Sequence, residues 1–421
     1  MCDRIIFHVD VNSAFLSWEA VHRITHLKGT VDLREIPSAI GGDVSQRHGI
    51  ILAKSLPAKK YGIHTGESIP EALQKCPGLF LAPPNYGLYE KSSRAFLNIL
   101  REYSPCVEPF SIDEAYVDLS ETAALYGTPE EAAQSVSRQI RETLGFTVNI
   151  GISSNKLLAK MASDFQKPDR VHTLFPGDIP HKLWPLPVSD LFFVGRASAR
   201  KLLNLGIRTI GDLAHADPSL IRFHLKKHGE VLQAFANGID LSPVAAVPPP
   251  NKGYGNSTTT PFDITRPSDA SLVLLGLAET VSARLRADQV KAEVLSVSIK
   301  YSDFSCHSHQ CVLPEATDIT IELARTAFRL FQESWNGQPV RHLGIHITRI
   351  AAGAPARQLE LFPSADYEKL EQMDQTVDII RKRFGNDAVK RAVFLKTPVD
   401  HRSGGISREK RSVDYERLNL K

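Results

Sequence analysis

Three acidic residues stand where acids are costly. An apolar strand, Ile5 to Val9, runs directly into Asp10, and a carboxylate that finishes a buried strand must be exposed, paired or metal-bound. Far along the chain, Asp113 and Glu114 fall at a junction between two strand-like runs. On a flat strand such neighbours point to opposite faces and could not share a site. If Phe110 to Asp113 forms the bend of a hairpin, both can face one edge. Three carboxylates gathered in this way repel one another and need cations. Hard oxygen ligands select Mg²⁺, and two such ions roughly 3.5–4 Å apart activate an attacking oxygen and stabilise a leaving one. Taken alone, the residues leave a second reading open, in which each acid is only a turn or cap residue.

The elements that must position these acids are written in the pattern around them. After the first strand, a stretch to about residue 80 mixes short strands and helices, with turn signals at Gly41-Gly42 and Gly62. A helix is expected from Tyr89 to Tyr103, then two strands flanking Ser111 to Glu114. Thr128-Pro129-Glu130-Glu131 starts another helix with a cap, a proline at the first position and acids in the first turn. A strand over Thr147–Ile152 and a helix from about Asn155 follow. The order β-α-β-β-α-β is that of a ferredoxin-like split βαβ domain with an insertion after its first strand. In that topology the hairpin bend lies beside the end of strand one. Residues 176–243 read as helical with short loops, and Pro243 to Gly255 has the Pro, Gly and Asn content of a linker. A second β-α-β-β-α-β run covers 256–352: Ser257–Thr260, helix 268–287, Glu293–Tyr301, Ser308–Leu313, helix 318–335 and Arg341–Ile350. From 353 onward the chain reads as a tail with one helical stretch, Tyr367–Phe384.

Composition narrows the class without naming a partner. The chain has 421 residues, 42% hydrophobic and 23% charged, as an ordinary globular protein of two to four domains would. It lacks an apolar run of about 18 residues, so no membrane span is expected. The start reads as a strand rather than a secretory signal, which points to the cytoplasm. Cys2, Cys76, Cys106, Cys306 and Cys311 are scattered and include no CxxC pair, as expected for reduced thiols. Cys306-His307-Ser308-His309-Gln310-Cys311 has zinc-ligand residue types, but it alternates like a strand, so neighbouring side chains face opposite ways. The net charge is +3, with nine basic against six acidic residues over 176–257 and 14 against 11 over 353–421. A polyanion would meet mild attraction there.

The motifs HVDVNSAF (8–15), SIDEAYVDLS (111–120) and GISSNKLLAKMASDFQKP (151–168) closely resemble those of Y-family DNA polymerases. The segments FVGRASARKLLNLGIRTIGDLA (193–214) and YGNSTT (254–259) fit the same family, in order, over about residues 4–352. This resemblance implies an α+β, right-hand polymerase. Its palm would be 1–15 with 81–175, its small fingers 16–80, its helical thumb with a helix-hairpin-helix 176–243, its linker 244–256, its little finger 257–352, and its tail 353–421. It implies lesion-tolerant, low-fidelity addition of deoxynucleoside triphosphates to a primer-template by a monomer using two Mg²⁺ ions.

Residue by residue, the resemblance makes Asp10, Asp113 and Glu114 catalytic metal ligands, with the backbone carbonyl of Val11 as a further one. Phe15 matches the aromatic steric gate that excludes a ribose 2′-hydroxyl. Lys167 matches a lysine that contacts the incoming triphosphate, whereas Lys156 and Lys160 are either that or salt-bridged helix residues. Asn12 replaces an acid that many members carry, Leu56 a tyrosine, and Lys59 an arginine, so Lys59 keeps the charge of a phosphate ligand without the bidentate fork. Asn12 and Lys59 resemble the branch containing the catalytic subunit of bacterial polymerase V. Gly41-Gly42 would lie over the nascent base pair and leave room for a distorted template. Val194-Gly195 would present backbone N–H groups to DNA phosphate. Gln358-Leu359-Glu360-Leu361-Phe362 resembles the peptide that docks bacterial polymerases on the sliding clamp, with Gln358 at the rim and Leu361 and Phe362 in an apolar cleft. Two rivals remain: a catalytically inactive clamp- and DNA-binding accessory member, and a nucleotide cyclase, which shares the ferredoxin-like core and metal chemistry.

Overall fold

In the computed structural model, strand alternation explains the first unit. β1 (Ile6–Val11) is buried on both faces: Phe7, Val9 and Val11 join one core, while Ile6 packs with Tyr116 and Ala159 on the other side. The structure describes residues 4–42, 49–353, 366–402 and 404. They form two compact units, the first built from residues 4–41 and 51–248, the second chiefly from residue 249 onward.

In the first unit β1 leads into α1 (Ala14–His26), followed by β2 (Ser38–Gly41), β3 (Ile51–Lys54), α2 (Leu56–Lys60), α3 (Ile69–Lys75) and β4 (Phe80–Ala82). The chain then returns through α4 (Tyr86–Tyr103), β5 (Val107–Pro109), β6 (Glu114–Asp118), α5 (Pro129–Leu144), β7 (Val148–Ser153), α6 (Lys156–Asp164) and β8 (Val171–Thr173). The main sheet has the order β5-β6-β1-β7-β8, with β1 antiparallel to both β6 and β7. Its first four strands in that order are the ferredoxin-like arrangement expected from the sequence, and β8 adds a parallel edge. The insertion folds as a separate sheet, β3-β2-β4. The helix after Thr128 starts as expected, with Thr128 and Glu131 forming a capping box.

One glycine decides how closely α6 lies on the sheet. A Cβ on Gly151 would fall 2.0 Å from the Ala159 carbonyl oxygen and 2.4 Å from the Ser163 nitrogen. Only a residue without a side chain allows that approach, which brings Lys160 and Ser163 over β1. Beyond α6, the helices α7 (Arg196–Asn204), α8 (Ile210–His215) and α9 (Pro218–Ala236) close a core shared with Leu157, Leu158 and Met161 of α6. The start of the expected linker is pinned to this unit: the Ala245 N–H donates to Glu108 at 2.7 Å, and Cys106 Sγ donates to the Val244 carbonyl at 3.3 Å.

The second unit contains β9 (Tyr254–Ile264), α10 (Pro267–Ala287), β10 (Val290–Tyr301), β11 (Cys306–Thr317), α11 (Thr320–Ser334), β12 (Val340–Ala352) and α12 (Tyr367–Phe384). Its sheet runs β11-β10-β12-β9. Cys306 and Cys311 lie five residues apart on β11, the first exposed and the second partly buried against the core. Among the described residues no three His, Cys, Asp or Glu side chains, the Cys306–Cys311 run included, stand together as a ready-made metal site, and no helix is long and apolar enough to cross a membrane.

The expected tail needs correcting. Residues 366–402 do not trail free: Phe394 and Val399 belong to the core of this unit. The α12 helix is tied down by charges. Glu279 of α10, 3% exposed, lies 2.7 Å from Arg381 and 2.6 Å from Arg391. Arg286 meets Asp374 at 3.3 Å and Asp378 at 2.6 Å. Replacing Glu279 with Ala takes the carboxylate partner from the buried Arg381, which costs about 3–5 kcal/mol. A clearly lowered denaturation midpoint is the expected result; an unchanged midpoint would mean the ion network does not hold this layer in place.

Candidate active site

The backbone gathers the three acids. Asp10 stands directly across from Glu114 in the β1–β6 ladder, and the Val11 N–H donates to the Asp113 carbonyl at 3.0 Å. The Phe110 and Ser111 N–H groups both donate to the Glu114 carbonyl, at 2.9 and 3.1 Å, so the bend falls where the sequence placed it. Asp113 accepts a 2.5 Å hydrogen bond from the Ser111 hydroxyl. Asn12, at the position of the missing acid, instead bonds Thr147 through its amide at 3.1 Å. It ties the end of β1 to the start of β7.

Cations of the protein itself balance two of these acids, Asp10 and Glu114. Lys167 lies 3.0 Å from Asp10 and 2.9 Å from Asp164. Lys160 lies 3.0 Å from Glu114, 3.6 Å from Asp10 and 3.5 Å from Asp164. Burial raises the Asp10 carboxyl above its ordinary pKa, against the pull of Lys167 and Lys160. Burial also works to raise Glu114, but the hydrogen bond from His8 and the charge of Lys160 outweigh it and hold the group at about 2. With Asp10, Glu114, Asp113 and the Val11 carbonyl, the available donors are all oxygen, a set that suits a hard divalent cation.

Beside the acids is a cavity of about 300 Å³, lined among others by Asp10, Val11, Phe15, Lys54, Thr65 and Asp113. Phe15 sits in the first turn of α1 and stacks on Tyr89, with centroids 4.4 Å apart and planes 6° from parallel. Tyr86 meets it edge-on at 6.1 Å. Lys54 was not marked by any motif; burial and the nearby Lys59 ammonium lower its pKa. The signal for it was the alternation of β3, whose residues are buried at Ile51 and Ala53 and half-buried at Leu52 and Lys54.

The remaining candidates are sorted by their surroundings. Lys156 is a structural residue, 2.7 Å from Glu108 and 4.8 Å from the Tyr116 ring centroid, whereas Lys160 faces the acids. Lys59 is in the last turn of the short α2, and Leu56 at its start is half-exposed. The space left by Gly41 is taken by packing, since a Cβ there would come within 2.9 Å of Ile69. Gly195 is the N-cap of α7 with no side-chain cap, following Phe193 at φ 72° and Val194. Gln358, Leu361 and Phe362 lie outside the described residues.

Comparison with known proteins gives a consistent result. Residues 9–164 match the impB/mucB/samB family, 251–361 match its C-terminal domain, and 176–207 match the IMS family HHH motif. The DNA polymerase IV of Clostridium acetobutylicum is 42% identical over 394 residues, spanning 93% of this chain and 98% of the relative. The DNA polymerase IV 1 of Bacillus subtilis is 37% identical, spanning 93% and 94%. The solved structure of a Y-family DNA polymerase chimera superposes with a TM-score of 0.70 at 21% identity, covering 83% of this chain and all of the chimera. That likeness concerns the fold.

Proposed function

This chain belongs to the impB/mucB/samB family, and we propose that it is a template-directed DNA polymerase of the translesion kind. It adds deoxynucleotides to a primer 3′ end. The observation that carries this reading is the placement of Asp10 across from Glu114, with Asp113 bonded to Val11, at a cavity that Phe15 helps to line. An inactive accessory member would have no need to keep all three acids, and a cyclase would have no need of the helical segment 176–207.

Polymerases of this family depend on metal ions, and the oxygen donors named above suit Mg²⁺. Asp10, Asp113, Glu114 and the Val11 carbonyl would hold two such ions, which when bound supply charge to activate the 3′-hydroxyl and to stabilise pyrophosphate. The attacking 3′-oxygen forms a bond to the α-phosphorus while the bond to the pyrophosphate oxygen breaks. Lys167 has two anionic partners within 3.0 Å, and an arriving triphosphate competes for it. Lys54 and Lys59 offer further charge to the phosphates. The Val194 and Gly195 N–H groups expected to face DNA phosphate donate instead to the Leu191 and Phe193 carbonyls, at 2.9 and 3.1 Å, so this turn does not offer them to DNA; the second unit holds the duplex without reading its sequence. The segment with Gln358, Leu361 and Phe362 docks on a bacterial sliding clamp, raising the local concentration of a monomeric cytoplasmic enzyme at the primer end.

Primer extension with Mg²⁺ and each deoxynucleotide in turn, on intact and lesion-bearing templates, tests the reading. Templated extension that continues past at least one lesion is expected. No extension on any template would remove it.

A further inference from the structure

We infer that His8 is a positioning residue for the reaction, holding Glu114 through a hydrogen-bond relay that begins at the Ser163 hydroxyl. The inference rests on the polymerase reading and deepens it. His8 is fully buried in the middle of β1, two residues before Asp10 and on the same face. Its Nε2 lies 3.0 Å from Glu114 Oε2, and its Nδ1 lies 2.8 Å from Ser163 Oγ. The Tyr116 ring packs against it at 4.8 Å.

Proton accounting gives the relay a direction. An ionised Glu114 can only accept, so Nε2 must carry the hydrogen. In a neutral ring Nδ1 is then the acceptor. Ser163 Oγ has one hydrogen, and it lies 2.8 Å from both His8 Nδ1 and the Lys160 carbonyl. Only when that hydrogen goes to His8 does the neutral ring present N–H to Glu114. Given the other way, it would turn a lone pair toward a carboxylate. The Glu114 carboxylate requires this tautomer, a Ser163 hydroxyl turned to Nδ1 supports it, and its Nε2–H holds Oε2. Lys160 bonds that same oxygen at 3.0 Å, so Oε1 takes part in neither bond.

A polar ring at the centre of an apolar strand is costly unless its bonds are needed. Here they fix a carboxylate that would share metal ions. Gly151 supports the device from behind, because it lets α6 bring Ser163 within reach.

The test uses the full chain with His8→Phe, which keeps the bulk and removes both bonds, together with His8→Gln and Ser163→Ala. For each, three quantities are measured: the Mg²⁺ concentration giving half-maximal primer extension, Mg²⁺ binding by calorimetry on a dideoxy-terminated primer-template, and the melting temperature in EDTA. Outer partners of metal-bound groups affect affinity by about 10–100-fold. His8→Phe is expected to raise the half-saturating Mg²⁺ and weaken calorimetric binding by about tenfold or more, with DNA affinity unchanged. Ser163→Ala shifts both in the same direction by less, and the glutamine amide, still a donor, recovers part of the loss.

An unchanged Mg²⁺ requirement in His8→Phe overturns the inference, even if the protein melts earlier. If that variant does not fold, Ser163→Ala decides in the same way. A native chain that extends no primer at all would instead sink the polymerase reading.

Discussion

Replacing Asp113 with Ala is expected to abolish primer extension while leaving DNA binding nearly intact. The expectation follows from what Asp113 touches. Its carboxylate takes a hydrogen bond from the Ser111 hydroxyl, two residues away within the same bend. The backbone bond between its carbonyl and Val11 does not depend on the side chain. The substitution therefore removes one carboxylate from the acid cluster without disturbing the sheet. Asp10 is a poorer test, because Lys160 and Lys167 both lean on it, and its loss would take one anionic partner from each of them. Charge stabilisation at a metal-assisted displacement is worth several kcal/mol, and each 1.36 kcal/mol is a factor of ten in rate. The loss should reach about a thousandfold. Single-turnover extension, read beside the dissociation constant for the same primer-template, separates chemistry from binding. Extension at a near-native rate would show that Asp113 holds no catalytic ion.

Much of this arrangement was legible because it depends on short-range pattern. The cap at Thr128, the bend before Glu114 and the α12 helix from Tyr367 to Phe384 come from neighbours in sequence. The ferredoxin-like order followed from the succession of elements, which fixes which strand ends are adjacent. What stayed hidden depends on contacts across long separations. Nothing near Lys160 distinguishes it from Lys156, four residues earlier on the same helix. Yet one meets Glu114 and the other Glu108, because α6 lies on the sheet at the angle that Gly151 permits. The layer beyond residue 366 was hidden for the same reason. Glu279 and Arg286 look like solvated helix charges until Asp374, Arg381 and Arg391 are brought against them. Polar sequence there resembled a tail, although its charges are paired and partly buried. His8 is the intermediate case: its position in an apolar strand was a signal, but its two partners come from β6 and α6.

Replacing Phe15 with Ala should raise ribonucleotide incorporation strongly. A gate works only if its ring cannot yield when a 2′-hydroxyl pushes against it, and here the ring is backed on one face and one edge. Tyr89, fully buried, stacks behind it at 4.4 Å, and Tyr86 and Trp18 contact it at 6.1 and 6.0 Å. Protein interiors pack too densely for such a cluster to shift for one oxygen atom. Displacing the ring by a fraction of an ångström would require the buried Tyr89 to move as well. Alanine opens that space beside Asp10 and Val11, so the added hydroxyl no longer clashes. Discrimination that rests on a clash is lost when the clashing group goes, whereas the deoxynucleotide loses only one apolar contact, worth about 1–3 kcal/mol. The ratio of kcat/KM for deoxy- against ribonucleotide should therefore fall by a larger factor than kcat/KM for the deoxynucleotide itself. Tyr89→Leu supplies the companion measurement: with Phe15 in place but unsupported, the ratio should fall part of the way. If Phe15→Ala lowers both substrates equally, the ring is a packing residue and sugar selection lies elsewhere.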